Sequence, residues 1–220
     1  MKGASMLKGK RISILGDSIS TYKGVSDDGA VCSTIKYNAT FYKAPFPLEK
    51  TYWKRVIDDL GLTLCVNNSW SGGNLSGRED PDSGVSRAAY LSRDDGTSPD
   101  IIIVFMGIND LGRRIDPAVF FADYTEALAT IKREHPSASV CCVNLPDRDI
   151  FMKKQTEVYN ELIARAAKAA GAGFFVADLF NSPLNNDFYY DNTIDGLHPD
   201  EDGMKYIAEV IKAAIEENCN

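Results

Sequence analysis

The run Ile101-Ile-Ile-Val-Phe105 sets the strongest limit on how this chain can fold. Successive side chains of a strand point to opposite faces, so five apolar residues in a row make both faces apolar. Such a strand needs cover on each side of its sheet, which parallel sheets obtain from their crossover helices. The rest of the chain keeps the same rhythm. Residues 11–15, 62–66, 100–106, 138–145 and 174–179 read as strands. Between them fall helical patterns. Trp53, Val56, Ile57 and Leu60 share one face of a helix over 52–60 that Gly61 closes. Asp116 as N-cap and Pro117 at the first helical position open a helix over 117–134. Further helices are expected over 153–170, ending at Gly171, and over 199–217.

These elements predict a three-layer α/β/α sandwich around a parallel five-stranded sheet, flavodoxin-like in plan. No internal repeat or low-complexity linker interrupts them, so residues 1–220 read as a single domain. One stretch resists the rhythm. Residues 22–51 carry Tyr22, Tyr37, Phe41, Tyr42, Pro45, Phe46 and Pro47 without a sustained helical period. An aromatic-rich excursion of this length reads either as irregular surface packing or as a lid or wall beside a ligand site.

Composition narrows the partners. With 24 basic and 31 acidic side chains the net charge is −7, which argues against nucleic acid and anionic membranes. No stretch approaches the roughly 20 apolar residues of a membrane span. The N-terminus also lacks the apolar core of about seven residues that a secretory leader needs. The expectation is a cytoplasmic protein without membrane insertion, a trimmed secreted chain being the alternative. Cys32, Cys65, Cys141, Cys142 and Cys219 show no C-x-x-C spacing and read as reduced structural thiols. The two histidines, His135 and His198, lack H-x-H or H-E-x-x-H spacing, so no metal site is expected.

In open parallel sheets ligands bind beyond the carboxyl ends of the strands. Four polar clusters fall there: Gly16-Asp17-Ser18-Ile19-Ser20, the run from Asn67 to Asn74, Gly107-Ile108-Asn109-Asp110, and Asp195-Gly196-Leu197-His198-Pro199. A serine hydroxyl becomes a nucleophile at neutral pH when a base takes its proton. His198 can be that base for Ser18 if a carboxylate holds its other ring nitrogen, and Asp195 lies three residues earlier across the Gly196 turn. Attack on an ester then needs donors for the oxyanion, and the N–H groups of Ser18 and Gly72 and the amide of Asn109 are candidates. Plainer roles compete. Ser18 could cap a helix, Asn109-Asp110 could form an Asx turn, and Gly72-Gly73 could serve only a tight turn. Asp195 could belong with Asp200, Glu201 and Asp202 as charges at the N-terminus of the last helix, and His135 reads as a structural helix-end residue.

Taken in order, Gly16-Asp17-Ser18, the Gly72 turn, Gly107-x-Asn109-Asp110 and Asp195-x-x-His198 resemble the four sequence blocks of the SGNH (GDSL-type) esterase/lipase family. The blocks run from residue 16 to 198. The first reads Gly-Asp-Ser-Ile where the family pattern has Gly-Asp-Ser-Leu, an apolar swap that leaves the chemistry intact. The resemblance implies a serine hydrolase of carboxylic esters without a cofactor. Ser18 would be the nucleophile, His198 the base and Asp195 its partner, with Ser18, Gly72 and Asn109 forming the oxyanion hole. Gly73 adjoins Gly72 and competes for that role, although the Ser-x-Ser-Gly pattern favours Gly72. Trp70, Tyr22 and Asn74 are candidates for substrate contact, Trp70 equally for anchoring its loop in the core. Lack of a large apolar cap points to short acyl groups, such as acetyl, on a carbohydrate or other small polar alcohol. An acyltransferase with the same triad and a non-catalytic carbohydrate-binding module are the competing readings.

Overall fold

Five strands form one wholly parallel sheet in the computed structural model, in the order β2-β1-β3-β4-β5. They are β1 (Arg11–Gly16), β2 (Thr63–Ser69), β3 (Ile101–Phe105), β4 (Ser139–Val143) and β5 (Phe174–Ala177). The structure describes residues 6–22, 47–147, 152–182 and 191–219. The helices are α1 (Tyr52–Leu60), α2 (Gly84–Arg87), α3 (Ile108–Gly112), α4 (Pro117–Glu134), α5 (Lys153–Ala170) and α6 (Glu201–Asn218). As the apolar run required, every residue of β3 is buried. Helix α1 packs with α6, and α4 packs with α5, so helices flank the sheet in an α/β/α sandwich. Thr51 caps α1 and Gly61 ends it in the left-handed conformation, while Asp116 and Pro117 open α4 as their positions predicted.

Four boundaries differ from expectation, each because polar side chains decide where the backbone pairs. Strand β2 continues past Val66 to Ser69, so Asn67, Asn68 and Ser69 belong to the strand and not to the loop after it. This polar run can stay buried because its groups are paired. Asn67 donates to the carbonyl of Ser20 at 2.9 Å, Ser69 donates to Asn67, and Asn68 donates to the carbonyl of Tyr90 at 3.0 Å. Strands β4 and β5 stop earlier than their apolar runs because Asn144 takes over. Its side-chain oxygen accepts from Leu179 and Phe180, and its amide donates to Asp178. The last helix begins at Glu201 and not at Pro199, because Asp200 is its N-cap and accepts from the Gly203 amide. Glu201 and Asp202 then fill the first turn, where acidic charge is favourable.

The chain passes from β1 outward to β2 and then returns to β3 on the other side of β1. The carboxyl ends of β1 and β3 therefore flank a topological switch point, where this class of sheet opens a crevice. Of the aromatic excursion, residues 23–46 lie outside the described residues. Cys65, Cys141, Cys142 and Cys219 are buried free thiols, and Cys32 lies outside the described residues. Among the described residues no helix is long and apolar enough to cross a membrane.

Candidate active site

Strand β1 ends at Gly16, where a side chain would stand 2.5 Å from Ser20 Oγ and 2.7 Å from Ser69 Oγ. Only glycine lets the chain turn there. Asp17 then caps a 3₁₀ turn over Ser18–Ser20 by accepting from the Ile19 amide at 3.0 Å. The capping role is therefore Asp17's, and Ser18 is left to face the crevice as the first residue of the turn.

The fourth polar cluster reaches Ser18 from the far end of the chain. Ser18 Oγ lies 2.9 Å from His198 Nε2, and His198 Nδ1 lies 2.8 Å from Asp195 Oδ2. Asp195 also accepts from the backbone N–H of Leu197 at 3.0 Å and of His198 at 2.8 Å through its other oxygen. Gly196 bridges them with φ +81°. Desolvation pushes the Asp195 carboxyl up, but the His198 amide, its imidazole and the Leu197 amide outweigh that and hold it below the usual range. Ser18 and His198 are buried, whereas the Asp195 side chain is 46% exposed. With Nδ1–H directed at the carboxylate, Nε2 is the acceptor for the serine hydroxyl.

The opposite wall is the loop after β2. Trp70 to Gly73 form a turn in which the Gly73 N–H donates to the Trp70 carbonyl at 3.0 Å. Gly72 occupies its third position with φ +74°, a conformation that favours glycine. The turn separates the two glycines: the Gly73 amide is consumed inside it, while the Gly72 amide has no partner among the described residues. Asn109, in α3, donates to the Gly73 carbonyl at 2.9 Å and retains a second amide N–H. Asn109 and Asp110 thus form part of a short helix, not an Asx turn.

Sequence reasoning missed what holds this loop. Arg87, buried at 4% exposure, donates to the carbonyls of Gly16 at 3.0 Å and Asp82 at 2.9 Å, and to that of Asn68. It ties the carboxyl ends of β1 and β2 together. Burial lowers its pKa to about 10, so it stays cationic at neutral pH. Asp110 accepts from Leu75 at 2.7 Å and Ser76 at 2.9 Å. Burial raises its carboxyl above the ordinary range despite those amides. Asp123 on α4 accepts from the Gly77 amide at 3.1 Å and from Arg78 at 2.6 Å. Burial raises Asp17 to about 7, against the opposing pull of the Ile19 amide and the nearby Arg87 cation.

The substrate-contact candidates fare differently. Trp70 is half-buried at the head of the turn and donates its backbone N–H to the Gly16 carbonyl at 3.1 Å. The Asn74 side chain accepts from Arg113 at 2.6 Å, and Tyr22 packs against the core. His135 ends α4 and is buried, consistent with its structural reading. Among the described residues no group of three His, Cys, Asp or Glu side chains could hold a metal.

A hydroxyl–imidazole–carboxylate line beside amide N–H groups at a switch point of a doubly wound sheet is an arrangement able to carry hydrolytic chemistry. The GDSL-like Lipase/Acylhydrolase family matches residues 14–206, and the chain belongs to that family. It is a GDSL-type esterase/lipase. An arylesterase of Vibrio mimicus is 23% identical over 168 residues, covering 75% of this chain and 78% of that protein. A Bacteroides uniformis protein described as a GDSL-like lipase superposes with a TM-score of 0.70 at 25% identity, over 95% of this chain and 96% of that one. A family two carbohydrate esterase of Clostridium thermocellum, solved with cellohexaose, gives 0.67 at 16% identity, over 96% of this chain and 64% of that one.

Proposed function

We propose that the protein hydrolyses short-chain acyl esters, acetyl esters foremost, of a carbohydrate or other small polar alcohol through an acyl-enzyme on Ser18. The contact line from Asp195 through His198 to Ser18 carries this reading. Ser18 Oγ attacks the ester carbonyl carbon while His198 Nε2 takes its proton, and Asp195 stabilises the imidazolium that forms. The N–H groups of Ser18 and Gly72 and the second amide N–H of Asn109 receive the oxyanion. Collapse expels the alcohol, which leaves with the proton from His198. Water, deprotonated by the same nitrogen, then releases the acid and restores Ser18. All of these steps use groups of the chain itself.

Among the described residues, polar groups on the loop after β2 support the small polar substrate. The loop after β2 carries Gly72, Asn74 and the half-buried Trp70, whose backbone N–H binds the Gly16 carbonyl two residues before Ser18, and an aromatic face beside polar groups suits a sugar ring. A panel of p-nitrophenyl esters and acetylated sugars tests the reading. Turnover should decline with acyl length, and Ser18→Ala should lower kcat at least about 10³-fold. Equal rates in the parent and Ser18→Ala would overturn the nucleophile assignment. Product analysis with an added alcohol acceptor separates hydrolysis from acyl transfer.

A further inference from the structure

Arg113 stands at the edge of the turn that carries Gly72. One guanidinium nitrogen lies 3.8 Å from where a Cβ on Gly72 would be, and the other donates to Asn74 Oδ1 at 2.6 Å. Its backbone closes α3, the helix of Asn109, with the Arg113 N–H donating to the Asn109 carbonyl at 2.9 Å. Arg114 follows in the left-handed region at φ +56°, the only non-glycine residue so placed among the described residues. The helix end therefore fixes the Arg113 backbone directly beside the proposed oxyanion donors.

Among the described residues its charge meets no carboxylate. Arg11, Arg55, Arg78, Arg93 and Arg133 each pair with one. Among the described residues Arg87, Arg114 and Arg165 form no ion pair either, but Arg87 is bound to carbonyls and Arg165 lies over the Phe121 ring, whereas Arg113 meets the neutral amide of Asn74 at the edge of the site. It is exposed, in a chain whose net charge is −7. A guanidinium has five N–H donors in a planar fork matched to a carboxylate, and the Asn74 contact engages one nitrogen. The other faces the Gly72 edge of the site.

We infer that Arg113 is a specificity-determining residue that binds a carboxylate borne by the substrate beside the scissile ester. This inference rests on the proposed esterase reading and narrows its substrate to an acidic ester. The carboxylate could belong to the acyl group or to the alcohol, and paired substrates separate the two. On the acyl side the pair is p-nitrophenyl butyrate and the p-nitrophenyl monoester of succinate. On the alcohol side it is 3-acetoxybenzamide and 3-acetoxybenzoate. In one pair kcat/KM should favour the anion, and Arg113→Gln should cut the anionic-to-neutral ratio by about tenfold. Arg113→Lys should keep part of it, and 0.5 M NaCl should compress it.

A ratio unchanged in Arg113→Gln overturns the inference. An equal loss on both members of a pair overturns it too, because it assigns the guanidinium to the developing oxyanion instead. Calorimetric binding of 3-acetoxybenzoate and 3-acetoxybenzamide to Ser18→Ala reads the subsite without chemistry. Tighter binding of the anion that disappears in Ser18→Ala/Arg113→Gln supports the subsite even if the esterase reading fails. Equal binding of the two probes removes the alcohol side, and together with an acyl-side ratio unchanged in Arg113→Gln it overturns the inference.

Discussion

Two walls meet at Ser18, and they are built by different means. The wall of Asp195 and His198 is held within four residues: one carboxylate binds two backbone amides and the imidazole next to them. The wall of residues 70–78 is held from a distance, by Asp110 of α3 and Asp123 of α4, while Arg87 of α2 ties the strand end that leads into it to the end of β1. The carboxylates record the difference. Asp195 is half exposed and rich in donors, and its pKa falls; Asp110 is buried, and desolvation raises its pKa despite two amides. A locally built wall can lose its chemistry without loosening the fold. In the remotely built wall, geometry and stability depend on the same buried charges.

Asp195→Asn is the largest expected break. The amide oxygen can still accept from Leu197 and His198, so the turn should survive, with a Tm close to that of the parent. The amide nitrogen, however, now presents hydrogens to His198 and favours the wrong tautomer, which should lower kcat about 10⁴-fold. Steady-state rates on a neutral short ester and a thermal melt check the two halves. A large fall in Tm would show that this wall is not independent of the fold.

Asp110→Asn should do the reverse in kind. One of its two acceptors becomes a donor facing the amide of Leu75 or Ser76, and a stranded buried donor costs about 1–3 kcal/mol. The Gly72 turn lies just ahead of those amides, so kcat should fall with stability, by about 10- to 100-fold. Denaturant unfolding and kinetics on the same preparation test the coupling. Reduced activity at full stability would separate what the comparison joins.

The same contrast explains what could be read from the sequence. Asp195 and His198 were legible because three residues and one glycine bring them together. Ser18 and Asn109 were legible because each directly follows a strand whose apolar run is unmistakable, and the parallel sheet sends all strand ends to one rim. Arg87 was not, since its partner Gly16 is 71 residues away and nothing near it in sequence signals a buried cation. Asp110 was visible beside Asn109, yet its binding of Leu75 and Ser76, 35 and 34 residues earlier, depends on the tertiary fold. The end of β2 failed for a related reason. Asn67, Asn68 and Ser69 look like loop residues, and only distant partners such as the carbonyls of Ser20 and Tyr90 let them continue a buried strand.

Asp17 sits where the two walls join, and the smallest effect is expected there. Its carboxyl is raised from an ordinary 3.8 to about 7 in the fold, chiefly by desolvation. Well below pH 4 it is neutral whether folded or not. As pH rises from there toward 7 the unfolded chain releases the proton first, so the stability this group contributes in acid is lost, and the loss is complete above 7. Asp17→Asn keeps an acceptor for the Ile19 amide and removes the titration. The Tm of the variant minus that of the parent should therefore grow more positive between about pH 4 and just above pH 7, and level off beyond. Melting curves across that range measure the difference directly, cancelling the other titrating groups to first approximation. A flat difference would mean that the Arg87 cation and the Ile19 amide fully offset the burial of Asp17, and that the junction bears a settled charge like the Asp195 wall.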